Sequence, residues 1–177
     1  MASLSRDAIV AAGLRIADDD GLERASLRRI ADELGVTPMA LYRHVAGKDD
    51  LLDAMADRLY AELELPSAGG DWWEELAGLA RSTRRALLRH ASAVALFSRP
   101  IRGEHGARLA DALLGALRRA GFGAREAAEL HEQLTQMVFG LILPELGLPR
   151  SRARTAAFER GLVLLEAGLR ARLADAS

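Results

Sequence analysis

The chain has 177 residues, is 50% hydrophobic and 28% charged, carries a formal net charge of -1 and contains no cysteine. That length suits one large domain or two small ones with a real core, and the missing cysteine removes disulfides, thiol nucleophiles and cysteine zinc sites. No run nears the ~20 apolar residues of a membrane span, and MASLSRDAIV lacks the basic-then-apolar order of a signal peptide, so a soluble cytoplasmic protein is expected. Charge near zero argues against nonspecific nucleic-acid binding through bulk charge but leaves room for a local basic face.

Aromatic residues make up only 5% of the chain, and alanine, leucine, arginine and glutamate fill it, the usage of helix formers. An all-α fold is expected. In residues 5–19, Ile9, Ala12, Gly13, Ile16 and Ala17 fall on one helical stripe, with Ser5 as N-cap and Gly21 as stop. Ser26 caps a short helix over 26–34 that carries Leu27, Ile30, Ala31 and Leu34, and Gly35 ends it. Thr37-Pro38 starts a second short helix over 38–44, proline being preset for the first helical position. A further helix begins near Lys48 and runs through Leu51, Leu52, Met55, Leu59 and Leu63 until Pro66-Ser67-Ala68-Gly69-Gly70, the best linker candidate. Residues 1–64 hold 8 basic and 13 acidic side chains, the excess acid lying mainly in 47–64, a helix that should not face DNA. Beyond the linker, helices are expected near 71–90, 92–99, 104–120, 124–143 and 152–173.

The helices at 26–34 and 38–44, joined by Gly35-Val36-Thr37, have the anatomy of a helix-turn-helix. Ala31 is small where the helices must cross, Gly35 stands where the turn favours positive φ, and Leu41 stands where the second helix must bury a side chain. With Leu41 inward, Thr37, Met39, Ala40, Arg43 and His44 lie on or beside the outer face, with Pro38 at its tip. Arg43 and, from the first helix, Arg28 can reach base edges, while Met39 and Ala40 offer apolar contacts such as those with a thymine methyl. Tyr42 and His44 are phosphate candidates, or a core aromatic and a packing residue. Lys48, the only lysine, opens a helix whose amides also attract an anion. For Arg28, Arg29 and Arg43 the plain alternative is solvated surface charge; Asp49-Asp50 at a helix start reads as a favourable charge-dipole arrangement.

The stretch from Ile9 to Leu52, above all GLERASLRRIADELGVTPMALYRHVAGKDDLL, resembles the tetracycline-repressor (TetR) family of bacterial transcription regulators. The segment LGVTPMALYRHVAGKDDLL is the most specific part, with Leu41-Tyr42 in the recognition helix and Lys48 opening the next; Leu27 stands where many members carry threonine or serine. The resemblance implies an N-terminal DNA-binding domain over 1–46, a connecting helix over 47–65, a linker at 66–70, and a helical effector-binding and dimerisation domain over 71–177. It also implies a homodimer that binds a double-stranded DNA operator and leaves it when a small molecule binds, the last two long helices of each subunit forming the interface.

The helix at 124–143 carries two stripes, Ala127, Leu130, Leu134, Met137 and Leu141 beside His131, Thr135, Val138, Phe139 and Ile142. The last helix repeats this, with Phe158, Leu162, Leu165 and Leu169 beside Ala157, Gly161, Leu164 and Gly168. Burial on two sides suits a dimer interface next to a core, so Phe158, Gly161, Leu162, Leu165, Gly168 and Leu169 are the interface candidates. An ordinary core helix loosened by glycines is the alternative. Ligand sites are mostly apolar with a few convergent polar groups, which marks Trp72, Trp73, Phe97, His131, Thr135, Met137 and Phe139 as candidate pocket residues.

The four histidines, His44, His90, His105 and His131, have no metal spacing, and no P-loop, GxGxxG or GxSxG occurs. No catalytic residue, metal or cofactor is therefore expected. A helix-turn-helix protein regulated by a protein partner, or without an effector, remains the alternative to a ligand-released repressor.

Overall fold

The computed structural model describes residues 4–65 and 69–175. Pro66, Ser67 and Ala68 of the linker lie outside the described residues. Eight α-helices are described: α1 (Arg6–Asp20), α2 (Leu27–Leu34), α3 (Pro38–Leu41), α4 (Lys48–Tyr60), α5 (Trp72–Arg89), α6 (Glu104–Ala120), α7 (Ala124–Ile142) and α8 (Arg152–Asp175). No strand occurs among the described residues. The caps are those the sequence calls for. Ser5 accepts from the Ala8 amide at 3.2 Å and Ser26 from the Arg29 amide at 3.3 Å. Gly35 closes α2 in the left-handed region at φ 66°, ψ 33°.

Two elements are tighter than the periodicity suggests. The reading helix is α-helical only over Pro38–Leu41, because the His44 and Val45 amides both turn back to the Leu41 carbonyl, at 2.8 and 3.0 Å, and carry Val45 into the core. The segment expected as a helix at 92–99 is a 3-10 helix over Ala91–Ser98, whose buried residues, Ala93 and Leu96, are three apart and match its threefold period.

The chain forms two compact units. The first comprises residues up to Glu62 together with Arg89–Ala107. Its core gathers Ile9, Ile16, Ile30, Leu41, Leu51, Met55, Leu59 and Leu96, each aliphatic contributing roughly 1.5–3 kcal/mol on burial. Gly13 lets α1 approach closely, since a Cβ there would lie 3.0 Å from the Met55 sulfur and 3.3 Å from Ile30. Leu27 packs partly buried against this core. The segment 89–107, which the sequence reading assigns to the C-terminal domain, thus packs with the N-terminal helices. The chain passes between the units three times, at 62–63, 88–89 and 107–108, so α4 is not the only covalent route from the motif.

The second unit comprises Leu63–Leu88 and the chain from Arg108 onward. Trp73, Leu87, Leu117, Phe122, Leu130, Leu134 and Ile142 fill its interior. Phe158, Leu162 and Leu169 are buried here as well, which corrects their reading as interface residues. The bulkier of the two α8 stripes packs inward, and Gly161 faces α7, where a Cβ would lie 2.6 Å from Leu141. The apolar surface left open on α8 is instead Val163 and Leu164, with Gly168 beside them, where a Cβ would meet nothing within 4 Å. Leu165 is half-buried. A buried pair ties α5 to the loop before α8: Arg84 donates to Glu145 at 2.9 and 2.6 Å and stacks over the Phe158 ring at 5.2 Å.

Candidate nucleic-acid interface and effector region

Helices α2 and α3 cross at Ala31 and Leu41, both wholly buried, and this crossing turns the rest of α3 outward. Thr37, Pro38, Tyr42 and Arg43 are exposed, Met39 is 75% exposed, and Ala40 and His44 are half-buried. Arg28 and Lys48 are exposed as well. A Met side chain so far from shelter gains nothing in the free chain, so its placement at the tip of a reading element suits contact with a partner.

The cations of this unit fall into two groups. Arg6 is paired with Asp50, Arg15 with Glu33, Arg29 with Asp20, Arg89 with Glu62 and Arg99 with Asp53. Arg24, Arg28, Arg43, Lys48 and Arg58 have no ion pair among the described residues, and of these Arg28, Arg43 and Lys48 lie on the motif or at the start of α4. Arg29, which composition alone cannot separate from Arg28, is thereby set apart from the open cations.

A clamp that the sequence does not announce fixes the exit from α3. Asp50 accepts from Arg6 at 2.9 and 2.5 Å and from the Ala46 amide at 2.8 Å, and Arg6 also donates to the His44 carbonyl at 2.7 Å. The Arg6 guanidinium, helped by the Ala46 amide against the cost of burial, holds the Asp50 carboxyl down to about 2. Asp50 is therefore more than a favourable charge at a helix start. It joins the start of α1, the end of the reading turn and the start of α4.

The acidic excess of α4 also finds its partner. Asp49, Asp53 and Asp57, one turn apart on α4, face Arg99 and Arg102, which lie between α5 and α6, and His105 in the first turn of α6. Arg99 reaches Asp53 at 2.7 Å and Asp49 at 3.3 Å, Arg102 reaches Asp53 at 3.6 Å, and His105 reaches Asp57 at 3.0 Å. Asp57 also accepts from the Gly106 amide at 3.0 Å. Burial raises its pKa, but the His105 and Gly106 hydrogen bonds outweigh that and leave it lowered. Spacings of i, i+4, i+8 against i, i+3, i+6 were the signal for this ladder.

The effector candidates are not gathered into one place. Phe97 belongs to the first unit, edge-on to Tyr60 with ring centroids 5.2 Å apart. It fills that core rather than a pocket wall in the second unit. Met137 is 52% exposed on the outer side of α7, because Ala127, Leu130, Leu134 and Ile142 take the inward face. His131, Thr135 and Phe139, four residues apart, share one half-buried edge of α7. The Thr135 hydroxyl donates to the His131 carbonyl at 2.8 Å, and burial pushes the His131 pKa below its ordinary value. Trp73 is buried on α5, edge-on to Trp72 at 6.0 Å, and the Arg170 guanidinium lies over Trp72.

Residues 9–55 match the family described as bacterial regulatory proteins, tetR family, and residues 65–157 match the tetracyclin repressor-like C-terminal domain. The chain belongs to the TetR family. The HTH-type transcriptional repressor DrrR1 of Streptomyces coeruleorubidus is 35% identical over 156 residues, covering 86% of this chain and 58% of that protein. The chain spans about three fifths of the length of the curated relatives it first matches. Solved TetR-type structures are matched over nearly their whole chains. Streptomyces coelicolor ActR in complex with (S)-DNPA superposes with a TM-score of 0.83 at 29% identity, covering 99% of this chain and 100% of ActR. BioQ with its natural double-stranded DNA operator gives 0.80 at 32% identity, with 96% and 99% covered. Such proteins are transcription regulators, not enzymes.

Proposed function

We propose that this TetR-family protein is a homodimeric repressor that binds a palindromic DNA operator through α2, α3 and the start of α4 and is released by a small molecule bound in its C-terminal helical unit. The observation that carries the reading is the exposure of Met39, Arg28, Arg43 and Lys48 on the helix-turn-helix and the start of α4, the three cations having no ion pair among the described residues. Arg28 and Arg43 read base edges, and Lys48 meets phosphate. DrrR1 is named a repressor and BioQ is seen with its operator, which supports the DNA side; ActR is seen with a ligand, which supports the effector side.

Dimerisation uses the apolar surface that the second unit leaves open, Met137 on α7 with Val163 and Leu164 on α8. The effector is apolar or amphipathic and meets the His131, Thr135 and Phe139 edge of α7. Its signal reaches α3 through α4, which carries both the Asp57 end of the charge ladder and the Asp50 clamp. The ligand must prefer the state that cannot bind DNA, and operator DNA must then weaken ligand binding by the same factor.

The test is fluorescence anisotropy with duplex DNA from the region flanking the protein's own gene, with and without a panel of apolar and amphipathic compounds. Tight binding that at least one compound abolishes supports the proposal. Failure to bind any duplex contradicts the operator role, and binding indifferent to every compound contradicts the effector role.

A further inference from the structure

The second unit holds a cleft of about 630 Å³ at the start of α8, lined by Arg84, Arg85, Arg150 and Arg152 and by the hydroxyl-bearing Ser151 and Thr155. No carboxylate lines it, in a chain whose net charge is -1. Most arginines of this unit are spent on acids: Arg81 on Glu159, Arg119 on Glu75, Arg125 on Glu129, Arg170 on Glu166 and Arg172 on Glu126. Arg150 and Arg152 are exposed and have no ion pair among the described residues. Arg84 is fixed from behind by Glu145, by Thr155 at 3.2 Å and by the Phe158 ring. Among the described residues Arg85 has one ion pair, with Glu64 at 2.6 Å, whose side chain is 78% exposed. Four arginines around one cleft repel one another, and of the four only Arg84 and Arg85 are matched by an acid among the described residues. The first turn of α8 adds to this, since it carries Arg152 and Arg154 and no acid, the reverse of what a helix start favours. The charge of Arg150 and Arg152 is left uncompensated among the described residues, which marks a place where something outside the chain compensates it.

We propose that this arginine-lined cleft is a binding site for a small organic anion bearing phosphate or carboxylate groups. The guanidinium groups, and not the helix end, define it: the planar forks of Arg150 and Arg152, which no acid among the described residues occupies, bind either oxyanion bidentately, and the Ser151 hydroxyl is a further polar group beside them. The organic part follows from the space. A bare phosphate leaves most of the cleft empty, and Leu88 and Ala156 supply an apolar wall. The site shares no residue with the α7 edge assigned to the effector, so a second signal can enter the same protein.

Isothermal titration of the full chain with inorganic phosphate and, separately, citrate, at constant ionic strength, tests this and tells the two oxyanions apart. Saturable binding of at least one probe is expected, weakened ten-fold or more in the Arg150→Ala/Arg152→Ala variant. The Arg118→Ala/Arg125→Ala variant, which removes the same charge elsewhere in the unit, should stay within two-fold of the parent. Matching circular dichroism verifies that both variants fold. Three results overturn the proposal: neither probe saturates; both double variants lose binding equally, as bulk charge alone would give; or the Arg150/Arg152 variant loses operator affinity and salt dependence while probe binding stays unchanged, which would make the cleft a DNA contact.

Discussion

Arg28 and Arg29 are neighbours on one helix, yet Asp20 holds Arg29 and nothing in the described chain holds Arg28. A guanidinium free of internal partners loses no ion pair on reaching a base, so alanine at Arg28 or Arg43 should cost ~1–3 kcal/mol on the cognate operator and blur its sequence preference. Lys48→Ala should weaken all sequences alike and lower the salt slope by about one unit. Anisotropy titrations at several salt concentrations separate the two. Altered specificity in Lys48→Ala but not in Arg43→Ala would reverse the assigned roles. Asp50 makes a different prediction. Its carboxyl is depressed to about 2 in the fold, so its stabilisation is complete above the ordinary carboxylate value and is lost as pH falls toward 2. The stability gap between the parent and Asp50→Asn, measured by urea unfolding, should be constant above about pH 5 and shrink between pH 4 and 2. A gap that does not change over that range would contradict the clamp.

Elements differ in how much of them the residues announce. Caps, stops and the left-handed Gly35 were legible because each is decided within four residues, by a hydroxyl or by a glycine with no Cβ. The inward and outward faces of α8 were not. Its two stripes are both apolar, and only the packing partner, Leu141 against Gly161, decides which one turns in. The same limit misplaced Phe97, whose neighbour Tyr60 lies 37 positions away in sequence, and Met137, which flanks the buried stripe of α7. The Asp50 clamp was hidden for the same reason, its partner Arg6 being 44 positions distant. The corrected faces predict opposite outcomes for two glycines of one helix. Gly161→Arg forces a side chain onto Leu141 and should cost ~1–3 kcal/mol of folding stability by chemical denaturation. A Cβ at Gly168 would meet nothing within 4 Å; Gly168→Arg should therefore leave the subunit folded and shift the monomer-dimer equilibrium, as should Leu164→Arg. Similar unfolding midpoints for the two glycine variants would contradict the assignment of faces.

At the scale of the whole molecule, fold class and family could be read from the sequence because helix-forming composition and one steric motif suffice for them. The division into units could not, since Arg89–Ala107 follows α5 in the chain but packs against α1 and α4 through Ala93, Leu96 and the Arg99 to His105 side of the charge ladder. That return makes the first unit answer to α4 and to the segment before α6 together. Two such subunits related by a two-fold axis can enter successive major grooves only if their reading elements are spaced by about one helical turn, ~34–36 Å. The direct measurement is selection of bound sequences from random duplex DNA by the purified protein. The account predicts enrichment of an inverted repeat whose half-sites are centred about one turn apart, lost in Arg43→Ala; enrichment of a single unpaired site, or of no sequence at all, would contradict it.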